Sequence, residues 1–464
     1  MDTGWYHCAM IIAPAARGER ISLIDSLRGF ALLGILLMNM PVFSIPEYNN
    51  PLVAGELSGA NYWCWWLVDV FFEGSMRGIF CMLFGAGSFL LLSRLTLKNA
   101  GLLPADIYYR RIIYLILFGL LDAYVFLWFG DILFLYGLTA LLFFPFRNVK
   151  PWGLVAFAGI FLTLLIIKPT LKMHEAAKLR KEGTKIELMQ AKNTYLKPEQ
   201  KEKLAEWTKF KTSINLDSLK KEADYLGVKF RTNNYFAQQK EITRWNIEGI
   251  AGRIFPVGIL ETLAYFFIGL AFFKWNILTG KRSYVFYIIC GALGYGIGVP
   301  IRILYVNHIF NTGMDFSRAA EFLPVNMYQP IRFLITLGHI SLVIIVFKLG
   351  WVTWLYKALA NVGQMAFTNY LSQSLICTFL FFGYGFGLYG TLQRYQTYEV
   401  VAAIWVFQVI FSAVWMRYFL FGPLEWVWRS LTYWERQPLL RARKHPVKPG
   451  SHLPVVQDYT PALS

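Results

Sequence analysis

The sequence predicts an all-α, polytopic integral membrane protein with about ten transmembrane helices and a polar helical insertion between its two halves. Three observations predict it. Of 464 residues, 56% are hydrophobic, above the share an ordinary soluble domain carries. Only 16% are charged, and mean hydropathy is +0.43. Apolar runs of about 20 residues, the length that spans a hydrocarbon core, recur along the chain. Disorder and a simple cytosolic enzyme are both excluded.

The elements follow in order. Residues 1–27 form a short N-terminal segment carrying Arg17 and Arg20. The first apolar run, 28–45, is longer than a signal-peptide core and lacks a small-residue cleavage site, so it reads as a retained span. Runs near 76–93, 112–129, 132–146 and 152–169 complete a first membrane half over 28–169. A polar insertion occupies 170–253, in which Pro198–Trp207, opened by proline, and Leu219–Leu226 read as helices. A second half over 254–421 holds runs near 254–273, 284–306, 331–347, 365–388 and 400–421, and a basic tail fills 422–464. In the seventh run Gly294 and Gly298, four apart, permit close helix approach. Five runs on each side of the insertion would place inverted halves face to face, as in many transporters, although no internal sequence similarity accompanies the layout.

Charge sorts the loops. Eleven Lys and Arg, from Arg94 to Lys357, fall in short loops on one side, against Arg318 and Arg394 on the other. By the positive-inside rule that side and both termini are cytoplasmic, in a bacterial inner membrane. The insertion carries 18 Lys and Arg against 11 Asp and Glu over 172–253, yet lies on the outer side, because long loops translocate largely regardless of charge. The net charge of +17 is thereby dispersed over loops and tail, not gathered on a face for nucleic acid. Cys8, Cys64, Cys81, Cys290 and Cys377 stand singly and form neither a disulfide framework nor a metal site.

Four stretches carry a family resemblance: Arg20 to Ala31, with Asp25, Arg28 and Gly29; Leu83 to Gly87; Gly363 to Ser374; and Gly422 to Tyr433. Together they resemble the YeiB-like family of bacterial inner-membrane proteins, a domain of unknown function, nearly end to end. That family is in turn similar to the transmembrane acyltransferases, which pass acyl groups to extracytoplasmic sugars or lipids. The resemblance implies a helical membrane architecture and, through the acyltransferases, acyl-CoA or another acyl thioester as donor. Asn39 stands where many of those acyltransferases carry a histidine near the outer end of the first span. An amide does not titrate at neutral pH, so Asn39 supplies no general base.

Ionisable residues inside apolar runs are expensive and must face one another or water. Asp122, Glu261, Arg302, Arg332 and His339 fall inside runs, with Glu73, Arg77 and Asp131 at their ends, nearly all in the outer half. The expected site is an outward-opening polar cavity. Glu261, His339 and Asp122 are its candidate catalytic groups, and Arg302, Arg332, Arg77, Asn39 and Asn369 would bind substrate. Arg332 and His339, seven apart, share a helix face. At the cytoplasmic mouth Arg20, Asp25 and Arg28 would grip a phosphorylated donor, since guanidinium matches phosphate bidentately. Structural ion pairing, helix capping and headgroup snorkelling explain the same residues without chemistry. Asn361, Gln364, Thr368 and Ser372 form a polar stripe at helical spacing, which interhelical hydrogen bonding also explains.

These readings give an acyltransferase-like protein handling an acyl or other anionic group for a small-molecule or lipid-linked extracytoplasmic acceptor. A transporter or flippase and a non-catalytic envelope scaffold are the alternatives. Walker, zinc-protease, nucleophile-elbow and dinucleotide motifs are absent from the sequence, which leaves hydrolase and nucleotide chemistry unsupported.

Overall fold

The computed structural model describes residues 21–47, 49–98, 101–249 and 257–441. Arg20, with the rest of the N-terminal segment, and most of the basic tail lie outside the described residues. Seventeen α-helices account for the described chain, and no β-strand occurs among them. In order they are α1 (Ser22–Ser44), α2 (Gly59–Phe72), α3 (Ser75–Lys98), α4 (Leu103–Tyr124), α5 (Leu133–Phe143), α6 (Pro151–Ala191), α7 (Pro198–Ser213), α8 (Leu216–Thr232) and α9 (Tyr235–Gly249). The second half holds α10 (Ile259–Lys274), α11 (Tyr284–Asn311), α12 (Ala319–Phe322), α13 (Tyr328–Leu349), α14 (Thr353–Gln364), α15 (Ala366–Phe381), α16 (Arg394–Tyr418) and α17 (Pro423–Tyr433). Six helical stretches are long and apolar enough to cross a membrane: 22–44, 59–97, 151–191, 284–311, 328–349 and 394–418.

Three differences from the sequence reading have physical causes. Helix α2 fills a Trp-rich run that is too short, at 14 residues, to read as a span. It is broken from α3 at Gly74, whose φ of +67° is open to glycine without strain. The ninth run holds α15, and a separate helix that the run did not include, α14, precedes it and divides from it at Met365. Helix α6 continues for 41 residues through Pro169, so the membrane half and the insertion meet inside one helix, not at a loop. At 1.5 Å per residue it is roughly 60 Å long, about twice a hydrocarbon core. Trp207 of α7 packs over Gly183 on its polar half, and Glu187 accepts from Trp207 Nε1 at 3.2 Å.

The bundle has two chemically distinct ends. At one, α9 is tied to the C-terminus of α4, with Asn246 Nδ2 donating to Ala123 O at 3.0 Å and Gln239 Nε2 to Tyr124 O at 3.2 Å. There the Gly383 N–H also meets Phe230 O of α8, and the Gly390 N–H meets Ser44 O of α1. At the other end, basic side chains cap exposed carbonyls: Lys274 Nζ donates to Arg147 O and Val149 O, and Lys348 Nζ to Gly280 O and Arg282 O. These are called the insertion end and the basic end below.

Three helix crossings bring backbones into direct contact, which is how apolar helices associate without a hydrophobic driving force between them. Gly29 of α1 and Gly363 of α14 face each other, and a methyl on either would strike the Leu359 or Asp25 carbonyl oxygen. Gly85 of α3 and Gly269 of α10 meet the Phe266 and Met82 carbonyls in the same way. Gly294 and Gly298 of α11 lie on Leu334 of α13, the close approach their spacing predicts. Gly29→Ala should therefore overpack the first crossing and cost about 1–3 kcal/mol. Gly159→Ala on α6, which meets nothing within 4 Å, should be neutral or mildly stabilising. Thermal unfolding of the two purified variants in detergent tests this pair.

Candidate functional site

Among the described residues a cavity lies towards each end of α1 and α3. The insertion-end cavity, about 370 Å³, is walled by α1 (Ile35, Met38, Asn39), α2 and its C-terminus (Trp65, Asp69, Glu73), Arg77 of α3, Tyr328 of α13 and Arg394 and Tyr398 of α16. The break at Glu73–Gly74 builds it, because ending α2 there turns Asp69, Glu73 and Arg77 towards one space.

Behind this wall the expected charges are paired. Glu261 of α10 accepts twice from Arg77 Nη2, at 3.0 Å each, and also pairs with Arg332 of α13. Arg332 is 1% exposed and donates from Nε to Gly74 O at 2.7 Å, so it pins the helix break. Arg302 Nη2 donates to Asp69 Oδ1 at 2.6 Å, and Tyr328 OH to Glu73 Oε1 at 2.9 Å. Arg394 Nε meets Glu56 at 2.6 Å, both fully buried. Four carboxylates thus balance four guanidinium groups.

The sequence-predicted residues separate into three groups. Arg77 and Asn39 reach the cavity, while Glu261, Arg332 and Arg302 support its wall from behind. His339 is held off: one ring nitrogen meets Tyr295 OH at 2.6 Å and the other Phe71 O at 2.8 Å, which occupies both. Asp122, fully buried, accepts from Ser374 Oγ at 3.1 Å at the α4–α15 contact. Asn369 belongs to a polar ladder between α15 and α16, donating to Ser412 Oγ at 2.9 Å and accepting from Gln408 Nε2 at 2.8 Å. Asp69, Glu56 and Tyr328 were not anticipated. Asp69 carried a legible signal, since it is a lone acid in an apolar run.

The basic-end cavity, about 290 Å³, has a different character. Arg28, Arg94, Arg111 and Arg429 line it, with Asp25 and Glu425, beside apolar walls that include Phe80, Phe84, Leu90, Leu91 and Leu95. Arg28 Nη1 meets Asp25 Oδ1 at 3.1 Å, and the Arg111 guanidinium lies 3.8 Å over the Trp428 ring. Glu425 caps α15, accepting from the Phe367 and Thr368 N–H groups at 2.8 and 3.1 Å and from Thr368 Oγ1 at 2.5 Å. Asp25 and Arg28 thus line one cavity. Adjacent residues divide the two spaces: Ile132 lines the first and Leu133 the second, and Tyr136, held by Cys81 Sγ at 2.9 Å, closes the second.

Residues 272–435 match the family described as "Protein of unknown function (DUF418)". Nearly the whole chain aligns with two bacterial relatives. It is 26% identical over 450 residues to the uncharacterized protein YxaH of Bacillus subtilis, covering 93% of this chain and 99% of the relative. It is 29% identical over 422 residues to the uncharacterized protein YeiB of Escherichia coli, covering 89% and 96%. The family match and these two relatives together support a YeiB-like domain of unknown function. No solved structure matches it. The family-matched stretch supplies Tyr328, Arg394 and Tyr398 to one cavity and Gly363, Phe367, Glu425 and Arg429 to the other.

Removing Glu261 tests the pairing. Glu261→Gln leaves Arg77 and Arg332 sharing a neutral partner and should destabilise the folded protein by about 3–5 kcal/mol. The double variant Glu261→Leu/Arg332→Met should recover a large part of that loss. Thermal unfolding in one detergent, referenced to the parent protein, measures both.

Proposed function

We propose that this protein is a multi-pass membrane acyltransferase-like protein. It takes an acyl donor with an anionic head at the basic end and delivers the acyl group to an acceptor in the insertion-end cavity. The observation that carries this reading is convergence. The four stretches that resemble the YeiB-like family, spread from Asp25 to Tyr433, all reach the basic-end cavity: Asp25 and Arg28, Phe84 and Gly87, Gly363 to Tyr370, and Glu425 to Tyr433. Arginines beside an apolar channel suit a phosphate-bearing head and a hydrocarbon chain, as in an acyl-CoA. In this reading ten apolar runs span a bacterial inner membrane, the basic end is cytoplasmic, and the polar half of α6 with α7–α9 is extracytoplasmic. Arg28 and Asp25 hold the donor. Arg77, with Arg332 and Arg302 behind it, organises the acceptor side. Glu261 fixes both arginines, and His339 and Asp122 brace the helices that frame the path.

A transporter is the second reading, and the helix breaks at Gly74 and Met365 favour it. Discontinuous helices at a cavity are how many transporters bind cargo and move.

Untargeted mass spectrometry of envelope and medium from cells lacking the protein, complemented with wild type, Arg28→Ala or Arg332→Ala, separates the readings. Transfer predicts loss of an acyl increment from one envelope component, restored by wild type and not by Arg28→Ala at equal expression. Redistribution of one metabolite between cell and medium, with envelope chemistry intact, would establish transport instead. For the topology, a cysteine at Ser213 in α7 should react with a membrane-impermeant maleimide in intact spheroplasts, and one at Thr279 near the basic end should not.

A further inference from the structure

The insertion-end cavity contains unused bonding capacity of both signs. Arg77 engages Glu261 through Nη2, and its Nε and Nη1 take no hydrogen bond among the described residues. Asp69 spends Oδ1 on Arg302, and Glu73 spends Oε1 on Tyr328; their second oxygens likewise take no hydrogen bond among the described residues. All three side chains line the same space, with Arg77 39% and Asp69 26% exposed.

The charge balance restricts what this space can hold. Asp69, Glu73, Glu261 and Glu56 offset Arg77, Arg302, Arg332 and Arg394, so the cavity and its wall are neutral as a whole. A net anion would find every guanidinium already facing a carboxylate. A bare cation at Asp69 and Glu73 would sit beside Arg77 and Arg302. A neutral ligand with two separated poles meets neither penalty, since each pole replaces water on a group of opposite sign.

We propose that the insertion-end cavity binds a small zwitterion of the amino-acid type, with its carboxylate on Arg77 and its ammonium between Asp69 and Glu73. The volume of about 370 Å³ lies at the small end of ligand pockets, which suits a molecule of this size. Trp65 and Met38 supply apolar wall for a side chain, and Asn39 an amide for further polar contact. This deepens the transfer reading by naming its acceptor, and rests on that reading for the acceptor role alone, because binding follows from the cavity itself.

Calorimetric titration of the purified full-length protein in detergent tests it, with the twenty L-amino acids singly and with butylamine, butyrate and butyramide as one-pole and no-pole controls. At least one amino acid should bind saturably, and the three controls should not. Glu73→Gln and Arg77→Gln should each weaken that binding about tenfold or more, as expected when one charged partner of a desolvated pair is lost. Met38→Trp, which fills the cavity and leaves every ion pair in place, should abolish binding even if the charge variants fail to fold. Failure of every amino acid to bind, or equal binding by butylamine or butyrate, would overturn the proposal. No acyl donor is present in this titration. An altered envelope spectrum in the cellular experiment with no amino-acid binding here would therefore leave the transfer reading standing and remove the zwitterion.

Discussion

The carboxylate of Glu261 is shared by two guanidinium groups from different helices, and the insertion-end half of the bundle is organised around it. An unpaired charge among apolar helices is costly, so α3, α10 and α13 must keep Arg77, Glu261 and Arg332 together. Arg332 in turn holds the Gly74 carbonyl, so the triad also fixes where α2 ends and α3 begins. That break directs Asp69, Glu73 and Arg77 into one cavity. The same arginine therefore couples the ionic core to the shape of the polar space, although it never reaches that space itself. Arg302 repeats the logic on α11, bonding both the carboxylate and the backbone carbonyl of Asp69.

At the basic end the constraint is steric. Gly29 and Gly363 let α1 and α14 touch backbone to backbone, and Gly85 and Gly269 do the same for α3 and α10. Close crossing at these points leaves residues within one turn of the glycines to line a cavity: Asp25 and Arg28 near Gly29, Gly87 and Ser88 near Gly85, Ala366 and Phe367 near Gly363. The Arg28 guanidinium lies against Gly87, where a Cβ would come within 2.8 Å of Nη2. The glycines of the family-like stretches are thus packing residues, and the chemistry they bracket belongs to arginine, glutamate and aromatic neighbours. Fold and site are separate consequences of the same short sequences.

This separation explains what was legible in the sequence. Apolar length announces a helix because it needs no partner to be read, and helices occupy all ten of the predicted runs. Loop charge announces an end for the same reason. Contacts between distant segments are not written locally. The row Asp122, Glu261, Arg302, Arg332 and His339 marks a level in the bundle, yet nothing in it says that Glu261 takes two arginines or that His339 spends both nitrogens on Tyr295 and Phe71. Asp69 and α2 escaped because a 14-residue apolar helix falls below span length, although its continuation into α3 gives a stretch of 39 residues. Arg111 and Arg429 read as loop and tail charges, and come to line the basic-end cavity through the docking of α17 on α4. No loop marks residue 169, because Pro169 is accommodated inside α6, which carries the polar residues on beyond the apolar run in one continuous helix.

The two cavities answer opposite electrostatic demands. Around the basic end, arginines from α1, α3, α4 and α17 outnumber the two carboxylates, and Glu425 is committed to the first turn of α15. That turn would otherwise present unsatisfied N–H groups and the positive end of the helix dipole. With Glu425 in place the remaining positive potential comes from arginine side chains, not from a backbone cradle. At the insertion end every arginine is balanced, so attraction is local and pairwise. A donor recognised by net charge and an acceptor recognised by its dipole would then be sorted to opposite ends by electrostatics alone, with the Ile132–Tyr136 turn of α5 between them. The excess of arginine distinguishes the basic end by net charge, whereas the balanced insertion end can discriminate only through close, pairwise contacts.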